Sequence, residues 1–75
     1  MKLFRSKAEK LLDSIIDEIK VNLENNYKST AHDARRKLGE TIEALRAAGQ
    51  LDDKLYKQYR GIYEDFTEKM KDYHH

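Results

Sequence analysis

From Leu51 to Tyr73, apolar and aromatic residues return at every third or fourth position, and no other stretch constrains the fold as tightly. At about 100° per residue, Leu55, Tyr56, Tyr59, Ile62, Tyr63, Phe66, Met70 and Tyr73 fall within an arc of roughly 120°. Lys54, Lys57, Gln58, Arg60, Glu64, Asp65, Glu68 and Lys69 take the other side. A segment with one apolar stripe and one charged face is a helix lying on a partner, not a strand or a loop.

The two helices that could be that partner lie upstream. Ser6 with Glu9 three positions on is a capping-box signature, with Phe4 outside the cap in a staple position. From there Ala8, Leu11, Leu12, Ile15, Ile16, Ile19 and Leu23 share an arc of roughly 140° with Phe4. Leu3 and Val21 project away from it. Asn25 and Asn26 suit a helix end, because Asn tolerates the left-handed conformation. Thr30 with Asp33 then gives a second capping-box-like start. The apolar phase also shifts across this break, since Tyr27, Ala31, Ala34, Leu38, Ile42 and Leu45 align with one another and not with the first helix. A single uninterrupted helix from Ser6 to Ala48 is the rival arrangement, as no Pro intervenes. Gly49 occupies a C-terminal cap position that needs positive φ. Asp52 caps the third helix, and Leu51 with Tyr56 has the spacing of a hydrophobic staple.

The expected fold is therefore all-α: a small antiparallel up-down-up three-helix bundle, with helices at about 6–25, 30–48 and 52–73, forming one domain over residues 1–75. In that topology the alanines at 31 and 34 face the bulky second half of the third helix. Tyr63, Phe66 and Met70 should fill the space beside Ile16 and Ile19, so that Phe66→Ala would cost about 3 to 5 kcal/mol.

Charge order supports the same topology. Residues 1–10 carry a net +3, 11–26 a net −3, 27–39 +3, 40–53 −3, 54–60 +3 and 61–75 −2. Each helix thus starts basic and ends acidic, against the preference of the helix dipole. Antiparallel neighbours compensate by setting basic halves beside acidic ones.

Composition narrows the function. A chain of 75 residues buries a modest core, and its net charge of +1 gives no bulk attraction to nucleic acid. No Cys is present for a disulfide or thiolate site, no apolar run reaches the ~18 residues of a membrane span, and the first ten residues lack a signal-peptide core. A cytoplasmic location is the expectation.

Chemistry-bearing patterns are sparse. His32, with Asp33 and Arg36, lacks further ligands or a nucleophile within helical reach and reads as an exposed histidine near a helix start. His74 and His75 close the chain and are assigned no role. Asp13, Asp17, Glu18, Glu40, Glu43, Glu64, Asp65 and Glu68 lie mainly on polar sides, where they solvate the surface. No phosphate-binding glycine loop or metalloprotease motif occurs. An enzyme is not expected, nor a cofactor or a metal.

Binding is the remaining role: a protein–protein interaction module that engages another protein or itself, without a membrane. Seven residues are candidates for the partner surface. Arg35, Arg36 and Lys37 form the densest basic cluster, with Lys28 nearby, and support the alternative of a nucleic-acid accessory protein that uses this cluster or the basic end of the bundle, where helix 1 starts, helix 2 ends and helix 3 starts; Glu40 and Glu43 would repel a duplex laid along the same helix. Tyr56 and Tyr73 lie near the limits of the aromatic arc, whereas Tyr59 and Tyr63 belong to the core. Gly61 points away from the aromatic face, where a crossing helix could approach with Arg60, Glu64 and Asp65 around it.

Overall fold

Ser6 starts the first helix as its spacing requires. In the computed structural model, which describes residues 5–72, the Ser6 hydroxyl accepts from the Glu9 N–H at 3.1 Å and the Glu9 carboxylate accepts from the Ser6 N–H at 3.1 Å. The helix they open, α1, spans Lys7–Glu24; α2 spans Lys28–Ala47 and α3 spans Asp53–Met70. Phe4, Leu3, Tyr73, His74 and His75 lie outside the described residues.

Both connections close with Schellman geometry. After α1, Asn26 takes φ 59°, its N–H donates to the Leu23 carbonyl, and the Tyr27 N–H donates to that of Asn22 at 2.8 Å. The single long helix is thereby excluded. After α2, Gly49 takes φ 75°, donating to Arg46, while Gln50 donates to Leu45. Asp52 then accepts from the Leu55 N–H at 2.8 Å, and Leu51 is buried beside it. The expected cap at Thr30 is corrected: α2 begins two residues earlier, with Tyr27 at the N-cap and no side-chain cap. The Schellman turn already delivers the chain in helical register, and the Thr30 hydroxyl instead lies 2.8 Å from Asn22 Oδ1, tying the start of α2 to α1.

Cross-helix pairs fix the topology. Glu18 meets Lys37 at 3.6 Å and Asn22 meets Thr30, so α2 runs antiparallel to α1. Glu43 meets Arg60 at 3.4 Å while Arg35 reaches Thr67 at 3.4 Å, so α3 runs antiparallel to α2. α1 and α3 are therefore parallel to each other. The basic and acidic halves do lie beside one another, although the terminal turns follow the dipole better than the halves suggest. Glu9 and Asp53 stand in first turns, Arg46 and Lys69 in last turns.

The core runs through Leu12, Ile15, Ile16 and Ile19 of α1, Ala31, Ala34, Leu38 and Ile42 of α2, and Tyr59 and Met70 of α3. Three expectations change here. Tyr63 and Phe66 are only half-buried, packed against the core and not inside it, because α3 lies along α2 and approaches α1 weakly. Leu11 is 45% exposed at the edge of the α1 stripe, and Tyr27, the N-cap residue of α2, is 60% exposed at the end of its own stripe. His32 is half-buried on the first turns of α2. Val21 is 53% exposed, as its position opposite the stripe requires. Among the described residues, no helix is long and apolar enough to cross a membrane.

Candidate partner-binding surfaces

Tyr59 is where α1 and α3 are tied together. Its ring is 1% exposed and its hydroxyl donates to Asp13 Oδ1 at 2.9 Å. Arg5 lies 2.9 Å from the other Asp13 oxygen and donates to the Tyr59 hydroxyl at 3.3 Å. Burial, reinforced by the Asp13 hydrogen bond, pushes the Tyr59 hydroxyl from its ordinary 10.0 to about 12. Asp13, placed among the solvating carboxylates by its polar neighbours, is instead a half-buried anchor. Sequence spacing along one helix carries no signal of a bond between residues 46 apart.

Three of the seven sequence-derived partner residues, Arg35, Tyr56 and Arg60, are used inside the fold, along the α2–α3 seam. The Arg46 guanidinium lies 5.1 Å from the centroid of the Tyr56 ring, and the Tyr56 hydroxyl donates to Glu43 at 2.8 Å. That bond to Glu43 raises the Tyr56 hydroxyl above its ordinary value. Arg60 contacts Glu43 and Glu64 and lies 5.0 Å from the centroid of the Tyr63 ring, and Arg35 lies 5.9 Å from the same centroid. Arg35 also donates to the Tyr63 and Thr67 hydroxyls at 3.4 Å. The seam is a ladder of guanidinium–ring contacts.

The basic run is divided by the helical turn itself. Arg35 faces α3, Arg36 pairs with Asp33 on the same helix, and Lys37 reaches Glu18 of α1. Gly61 is half-exposed with nothing within 4 Å of where a Cβ would stand. Tyr73 lies outside the described residues. The seven candidates therefore do not form one surface.

A different surface lies between α1 and α3, toward the ends where both helices finish. Beyond the Tyr59 anchor the two helices leave a cleft of about 430 Å³. Leu23, Ile62 and Phe66, all half-buried, contribute its apolar part, and Lys20 and Glu24 on α1 with Asp65 and Lys69 on α3 form its rims. These four charged residues are exposed, and none is held in an ion pair among the described residues. Each stands at the border of an apolar stripe, but only the parallel placement of α1 and α3 brings the two borders together. Comparison with protein-family models, with curated proteins and with solved structures gives no match.

Proposed function

We propose that this chain is a small cytoplasmic protein–protein interaction module, and that its partner surface is the α1–α3 cleft. One observation carries this: three large apolar side chains stay partly exposed on a concave surface, rimmed by four charges that hold no ion pair among the described residues. A contiguous apolar patch with a polar rim is the anatomy of a protein interface. Arg35, Arg36, Lys37, Tyr56 and Arg60 favour it indirectly. Their charges and rings already have partners across the α2–α3 seam, along α2 or on α1, which leaves a duplex no continuous basic face.

A photo-crosslinking amino acid placed at Lys69 on the cleft rim, with the same group at Arg36 as control, tests the proposal in cells. A discrete protein adduct from position 69 and none from position 36 is expected. Adducts of equal yield from both positions, or none from position 69, would overturn it.

A further inference from the structure

The two rims of the α1–α3 cleft carry charge in opposite order. Lys20 and Glu24 stand one turn apart on α1, and Asp65 and Lys69 stand one turn apart on α3. Because the helices are parallel, one rim reads positive then negative along the cleft while the other reads negative then positive. The four charges thus alternate both along and across the cleft.

Such a pattern selects its partner. A uniformly acidic or basic surface would meet two like charges for every two unlike ones, and gain nothing from the rim. The complement of an alternating square is another alternating square. A two-fold rotation about an axis lying in the plane of the cleft, whether along it or across it, sets each of the four charges opposite one of the other sign. An isologous contact needs that self-complementarity. The same rotation sets the two apolar floors of Leu23, Ile62 and Phe66 facing each other between the paired rims, out of bulk water.

We infer that the cleft is the interface of a two-fold symmetric homodimer, the partner being a second copy of this chain; this rests on the binding role proposed above and names its occupant. The side chains that set the pairing are Lys20, Glu24, Asp65 and Lys69, and closing the rims encloses the apolar floors.

Sedimentation equilibrium of the full chain from about 1 μM to about 1 mM is expected to show monomer and dimer in exchange. Two variants locate the interface: K20E with K69E makes the rim wholly acidic, and E24K with D65K makes it wholly basic. Each alone should self-associate at least about tenfold more weakly than the parent, and an equimolar mixture should recover association as a heterodimer. Circular dichroism melts of both variants check that they fold, which four exposed positions allow. A parent that stays monomeric throughout overturns the inference, as do variants that self-associate like the parent or a mixture that fails to recover. A monomeric parent whose Lys69 crosslinker still captures a different protein excludes the second copy and leaves the binding role standing; a monomeric parent with no adduct removes both.

Discussion

Gly39 lies beneath the ring of Tyr63: a Cβ at residue 39 would stand 2.7 Å from Cε1 and 2.9 Å from Cζ. The absence of a side chain on buried Gly39 lets α3 bring this ring onto α2, where the Arg35 and Arg60 guanidiniums lie 5.9 and 5.0 Å from its centroid. Gly61, the other helical glycine, has no such neighbour.

The two glycines should therefore answer alanine differently. Gly39→Ala forces the ring aside, an overpacking cost of about 1 to 3 kcal/mol that offsets or exceeds the roughly 1 kcal/mol gained in helix propensity. Gly61→Ala should simply gain about 1 kcal/mol in the monomer. Urea melts at low protein concentration measure both. If Gly39→Ala is as stabilising as Gly61→Ala, the Tyr63 contact does not restrain the helices; if it becomes stabilising only when Tyr63 is also replaced by Leu, the contact is the cause.

Burial ranks the apolar residues of α3 differently from their spacing. Met70 is 1% exposed, whereas Phe66 is only partly buried, at the cleft. Met70→Ala should cost about 2 to 5 kcal/mol, and Phe66→Ala less than the full 3 to 5 of a buried ring. A larger loss of stability for Phe66→Ala than for Met70→Ala would mean that α1 and α3 close over the cleft.

Tyr59 makes a prediction about alkaline pH. Its hydroxyl is held at about 12 against an ordinary 10.0, so between these values the folded chain keeps a proton that the unfolded chain releases. Its contribution to stability is complete below pH 10 and declines as pH rises toward 12. Tyrosinate absorbance should show a late-ionising group that disappears in Tyr59→Phe, and the melting temperature of that variant should fall less steeply over this range. A Tyr59→Phe variant with the parent's titration curve would place the perturbed hydroxyl elsewhere.

Inverting the charges of α2 tests whether the blocks help to select the topology. With Arg35, Arg36 and Lys37 replaced by Glu, and Glu40 and Glu43 by Lys, Glu18 and Arg60 would each face a like charge and the Tyr63 and Thr67 hydroxyls would lose Arg35. The same exchange improves the helix's own dipole match. Cross-helix repulsion predicts a lower melting temperature that recovers partly with salt, and by more than any single exposed pair, worth under about 1 kcal/mol, would give. A variant as stable as its parent at low salt would remove charge order as a determinant of the fold.

The sequence by itself determined the three helices, because what sets them is local. A 3.6-residue period, the Ser6 and Glu9 box, Asn26 and Gly49 at positive φ and the Asp52 cap each act within a few residues, so each is legible in order along the chain. Antiparallel order also followed, from short connections and alternating charge. Tertiary structure alone decided which side of each stripe is covered. α3 lies along α2 and is tied to α1 at the Tyr59 anchor, so Tyr63 needs Gly39, Asp13 becomes an anchor, and Arg35 and Arg60 turn inward to aromatic rings. The cleft arises the same way. Lys20, Glu24, Asp65 and Lys69 are ordinary stripe-border residues on separate helices, and only the lateral offset of α3, a sum of many packing contacts with no local code, gathers them around Leu23, Ile62 and Phe66.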